Sequence, residues 1–115
     1  MVAEELRRRG WVVHRIAEVF PGDAQDVPDE DWIRYGLGKG WVPLSKDGRI
    51  KTRDREIEPV RASSAVLFYL DNQQLRSMEM VERLHGCQEA IHRAVTRGGP
   101  ATYAVRADRI DRTWP

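Results

Sequence analysis

Cys87 is the single cysteine of this 115-residue chain, so no internal disulfide can form and no thiolate metal cluster can be assembled. Long apolar runs are also missing. The longest, Ala65 to Leu70, falls well short of the roughly 20 residues that a membrane span needs. Residues 1–9 contain no apolar stretch of the kind a secretory signal carries, so a cytoplasmic protein without a membrane partner is expected. Charge of one sign is scarce too. Lys and Arg number 19 against 18 Asp and Glu, a net +1, which argues against nucleic-acid binding driven by bulk positive charge. His14, His85 and His92 form no ligand motif. No glycine-rich phosphate loop opens a helix, because Gly36, Gly38 and Gly40 end one instead.

What is present suits one globular domain over residues 1–115, with 41% hydrophobic and 32% charged residues. Val2, Ala3 and Leu6 share one side of a short helix that Gly10 stops. Trp11 to Ile16 is rich in β-formers and reads as a strand. A loop through Pro21, Gly22 and Asp23 runs on to Pro28, after which Asp29, Glu30 and Asp31 open a helix bearing Trp32, Ile33, Gly36 and Leu37 on one face. Trp41 to Ser45 reads as a strand, and Pro43 within it predicts a sheet edge. Asp54 to Ala62 carries a weaker helical pattern interrupted by Pro59.

Ala65 to Leu70 is apolar at every position, as expected of a strand covered on both faces. Leu75, Met78, Val81, Leu84, Ile91 and Val95 then trace one face of a long helix, weakened at Gly86 and ended by Gly98-Gly99-Pro100. Cys87 falls within that pattern and reads as a half-buried structural thiol. Thr102 to Ala107 and Ile110 to Trp114 form either a closing strand or a hairpin around Asp108-Arg109. The alternation of helices and strands predicts an α/β fold with a mostly parallel sheet and helices on both faces.

In such sheets ligands bind beyond the carboxyl ends of the strands. Three polar groups belong to that rim: Asp29 to Asp31, Ser45-Lys46-Asp47, and Asp71-Asn72. Carboxylates distant in sequence thus approach one edge. Their mutual repulsion calls for a cation, and an all-oxygen set suits Mg²⁺ or Mn²⁺. Two such ions can activate water for phosphodiester cleavage, and Lys46, Arg49 and Lys51 could hold substrate phosphates. The plainer reading is that acidic residues here cap helices and form turns, and that the charges of 46–56 are a solvated, ion-paired surface.

The run from Phe20 to Arg53 resembles the PIN-like domains related to VapC toxins. The specific features are Pro28-Asp29-Glu30-Asp31-Trp32 at a helix start and Leu44-Ser45-Lys46-Asp47 at a strand end, followed by the basic Arg49-Ile50-Lys51. The later strand, long helix and final β segment match in order. The resemblance implies a PIN-like fold and a ribonuclease using Mg²⁺ or Mn²⁺, often the toxin of a toxin–antitoxin pair. Its implied partners are RNA and an antitoxin protein, with a homodimer also admitted. By position it implies Asp47 as a metal ligand supported by Ser45, a helix carboxylate from Asp29 or Asp31, and Lys46 on phosphate or in solvent.

The family begins with a short acidic strand before the helix that corresponds to Met1–Arg9, and this sequence shows no such strand. The expectation is therefore a chain read from too late a start, or a reduced variant with impaired metal binding. The first fits Val2 and Leu6 better, since they look like the inner face of a helix that follows a strand. The rival reading is a non-catalytic PIN-like module binding RNA or a protein partner. A receiver-like phosphoacceptor fits poorly, because no N-terminal acidic pair is present.

Overall fold

The computed structural model describes residues 2–20, 27–46, 54–70, 72 and 74–115. Helices α1 (Val2–Arg8), α2 (Ile16–Val19) and α3 (Asp29–Gly38) precede strand β1 (Leu44–Ser45). Then follow α4 (Asp54–Ala62), β2 (Val66–Tyr69), α5 (Ser77–Gly86), α6 (Gln88–Arg97), β3 (Ala101–Val105) and β4 (Ile110–Trp114). The strands form one sheet in the order β1-β2-β3-β4. β1, β2 and β3 run parallel, and β4 closes antiparallel on β3 as a hairpin. The fold is thus α/β with a mostly parallel sheet, as the alternation predicts.

The sheet divides the core in two. Val66, Phe68 and Leu70 of the β2 segment share one cluster with Ala101, Tyr103 and Val105 of β3, beneath α1, α5 and α6. The alternate residues Leu67, Tyr69 and Ala104 form a second with Ile33 of α3 and Val60 of α4. Successive strand residues point to opposite faces, so a strand between two helical layers must be apolar throughout. Residues 66–70 are all buried, which is why this strand was the easiest to read from sequence. Helices do cover both faces.

Three expectations need correction. Trp11 to Ile16 is not a strand: residues 11–15 are irregular and α2 begins at Ile16. Among the described residues no strand pairs with it, and its groups find local partners. The Trp11 amide donates to the Leu6 carbonyl at 3.0 Å, and the Arg7 guanidinium donates to the Val13 carbonyl at 2.6 Å. The long helix is two helices, turning at Cys87 directly after Gly86. Pro59 does not interrupt α4, which continues to Ala62 while burying Ile57 and Val60. Packing outweighs the hydrogen bond that proline cannot donate.

β1 is at the sheet edge, as Pro43 predicted, but the reason differs. The Pro43 and Ser45 carbonyls accept the Phe68 and Leu70 amides at 3.1 and 2.9 Å. Main-chain groups alternate sides along a strand, so Pro43 faces the paired side while Val42 and Leu44 face outward. Proline therefore trims the ladder to β2 and leaves the outer edge unblocked.

Candidate functional site

α3 places the first group. Its opening turn carries Asp29, Glu30 and Asp31, whose charges favour the positive end of the helix dipole. The two aspartates are not equivalent. Residues four apart lie on one helix face, so Asp29 shares its side with the fully buried Ile33, toward the sheet. The Trp32 indole N–H donates to Asp29 Oδ1 at 2.9 Å and orients that half-buried carboxylate. Asp31 lies nearly opposite, exposed, with Arg34 at 3.6 Å.

β1 places the second group. Its last residue, the half-buried Ser45, is level with Tyr69 of β2, and the exposed Lys46 follows. The 10 residues of α3 rise about 15 Å, and of the expected strand Trp41 to Ser45 only Leu44 and Ser45 form β1. A tight turn joins them, with the Trp41 amide donating to the Gly36 carbonyl at 2.9 Å. Ser45 and Lys46 thus lie at the carboxyl end of β1, and α3 meets the sheet through Ile33. Asp47, Arg49, Lys51 and Asp71 lie outside the described residues. Asn72 serves a turn, its side-chain oxygen accepting the Gln74 amide at 2.9 Å. Among the described residues no three acidic, histidine or cysteine side chains gather closely enough to hold a metal ion.

The sequence reading missed the third group on this rim. β3 is parallel to β2, so Arg106 emerges beside the ends of the other two strands. Arg106 donates to Asp111 at 3.1 Å, and Arg83 of α5 donates to the Val105 carbonyl at 3.4 Å. The signal was available, because Arg106 directly follows an apolar strand, but a lone arginine carries no motif. Cys87 is the buried structural thiol expected, its Sγ 3.6 Å from the Arg106 carbonyl oxygen. Burial pushes that thiol up, further from the reactive thiolate. His14 and His85 contact tryptophans: His14 stacks on Trp41, and His85 accepts the Trp11 indole N–H at 3.1 Å.

The hydrogen bond from Arg106, then that from Arg109, holds the Asp111 carboxyl below its ordinary value. A carboxylate depressed by folding stabilises the native state above its unfolded pKa, and that contribution is lost as pH falls through the folded value. Arg106→Gln is expected to raise the Asp111 midpoint toward 3.8, its ordinary value, as followed by carboxyl-carbon NMR. An unmoved midpoint would mean that Arg106 does not hold this carboxylate in solution.

Comparison with known proteins is consistent with this architecture. A family model described as "PIN like domain" matches residues 1–72. A protein of Mycobacterium tuberculosis (strain ATCC 25618 / H37Rv) named "Putative ribonuclease VapC45" is 30% identical over 112 residues, covering 96% of this chain and 81% of that relative. No solved structure matches. On the match of that family model over more than half of its length, and with a mostly parallel sheet that fits it, this chain belongs to the PIN-like domain family.

Proposed function

We propose that the protein is a divalent-metal-dependent endoribonuclease of the toxin–antitoxin kind, acting on single-stranded RNA in the cytoplasm and restrained by an antitoxin protein. The observation that carries this reading is the carboxylate of Asp29, on the side of α3 that bears the buried Ile33 and oriented by Trp32. The name of the mycobacterial relative, a putative ribonuclease, supports the same activity.

The donor chemistry fits a hard cation. Carboxylate oxygens with a nearby hydroxyl suit Mg²⁺ or Mn²⁺, which take oxygen ligands. Asp29 and Asp47 would hold the ion, with Ser45 supporting Asp47. Asp31 faces away from the sheet and is left in solvent with Arg34. When bound, the metal supplies a water made more acidic and a positive charge against the leaving oxygen. The chain's own contribution is placement. Trp32 fixes the Asp29 carboxylate, while Lys46, Arg49 and Lys51 draw the RNA backbone toward the rim.

One observation favours the rival, a PIN-like module that binds RNA or protein without cleaving. The described residues alone do not assemble a complete ligand set. Incubation of the purified protein with labelled single-stranded RNA in Mn²⁺ or Mg²⁺, beside an EDTA control, separates the two. Cleavage that stops with EDTA is expected. RNA left intact under every condition would leave the binding module standing.

A further inference from the structure

Net charge is only +1, so contacts that need no phosphate neutralisation would add to the grip on RNA that local cations provide. The outer flank of α3 offers them. Trp32, Tyr35 and Lys39 lie along one flank of that helix, where Trp41 packs against Gly36, whose Cβ, if added, would sit 3.9 Å from Trp41 Cε3. Phe20, Tyr35 and Trp41 touch in series. Tyr35 meets Trp41 edge-on at 6.0 Å and 62°, and Phe20 meets Tyr35 at 5.5 Å and 68°.

Two of these rings reach solvent. Tyr35 is 40% exposed. His14 lies flat on Trp41, with ring centroids 3.8 Å apart and planes 10° from parallel, and its residue is exposed. A parallel stack that ends at the surface in a flat heteroaromatic ring has the geometry to which another flat ring adds. The Lys39 ammonium, 5.5 Å over the Tyr35 ring, supplies a mobile cation beside the same surface. The trail starts at the proposed cleavage site, because Trp32 is the residue that holds Asp29.

We infer that this flank is a stacking subsite for unpaired nucleobases: Tyr35 and the His14–Trp41 stack take bases of single-stranded RNA leaving the carboxyl rim, and Lys39 contacts the intervening phosphate. The inference rests on the ribonuclease reading for its substrate. Its chemistry follows the general one for single strands, in which aromatic faces accept any base and a few cations follow the backbone.

Binding of a short labelled single-stranded RNA, read by fluorescence anisotropy in EDTA, tests the subsite with cleavage silenced. Tyr35→Leu keeps apolar volume but has no π-face, and His14→Ala removes the surface ring. Each is expected to weaken binding about tenfold, while Tyr35→Phe binds like the natural protein. The salt dependence should be the same in Tyr35→Leu as in the natural protein, because the ring neutralises no phosphate.

Unchanged affinity in both ring-removing variants would overturn the subsite, as would failure of the natural protein to bind at all. So would equal losses in Tyr35→Phe and Tyr35→Leu. If Tyr35→Leu loses its thermal transition, His14→Ala decides alone, since its ring is at the surface. Ring-dependent binding without cleavage in Mn²⁺ would refute the ribonuclease and keep the subsite. Cleavage with ring-independent binding would do the reverse.

Discussion

Gly99→Ala is expected to cost the fold about 3 kcal/mol or more, seen as a fall in the urea midpoint with little change in slope. A Cβ at Gly99 would run into the Ala65 carbonyl oxygen and lie 2.8 Å from its carbon. The obstacle is backbone, so no side chain can rotate out of the way. That backbone is also where two strands begin to pair: the Gly99 amide donates to Ser64 at 3.1 Å, and the Ala101 amide to Ala65 at 3.0 Å. Relief of the clash must therefore separate β3 from β2, the two central strands.

Gly86→Ala is the matched control. Nothing lies within 4 Å of an added Cβ there, and the residue ends α5. Alanine at that position should stabilise by about 0.5–1 kcal/mol. With total stability of domains this size near 5–15 kcal/mol, the Gly99 variant should stay folded without urea but lose roughly a fifth to a half of its stability or more. A Gly99→Ala protein as stable as the Gly86 variant would mean that the two strands are not held this closely.

The second large effect is on activity. Asp47→Asn should reduce Mn²⁺-dependent RNA cleavage on the order of 100-fold while leaving the urea midpoint nearly unchanged. Changes in residues that merely orient a metal ligand cost about 10–100-fold, and loss of a ligand's charge should cost no less. Asp29→Asn should behave similarly, since the amide oxygen can still accept the Trp32 indole N–H but carries no charge for a cation. Asp31→Asn should stay within about twofold of the natural protein, because its side chain faces solvent. Equal, severe losses at Asp29 and Asp31 would show that the helix start binds metal as a unit. Full activity in Asp47→Asn would remove the proposed site.

The parts of the fold legible in sequence are those where one requirement dominates. Residues 66–70 must be apolar on both faces, and Leu75 to Val95 repeat at helical spacing. The Trp11–Ile16 expectation failed because β-propensity needs a neighbouring strand to act on, and none of the described strands lies beside it. The break at Cys87 was visible only as a weak Gly86.

For the site, spacing supplied only the expectation that Asp29, Asp31 and Ser45 share one rim. It could not choose between the aspartates. That choice needed Ile33 as a marker of the buried side and the Trp32 hydrogen bond. Arg106 escaped notice because a rim residue on β3 became apparent only once β3 was known to run parallel to β2.

The closing hairpin has a consequence in time as well as space. β3 and β4 are separated by residues 106–109 alone, whereas residues 46–65 separate β1 from β2 and residues 70–100 separate β2 from β3. Closing the chain over the longer spans costs about 1.5–2 kcal/mol more in entropy. The hairpin can thus form early and cheaply, and of the two remaining pairings the one that spans residues 70–100 is the costlier to close. The seam between β2 and β3, where Gly99 meets Ala65, would then be the last pairing to form.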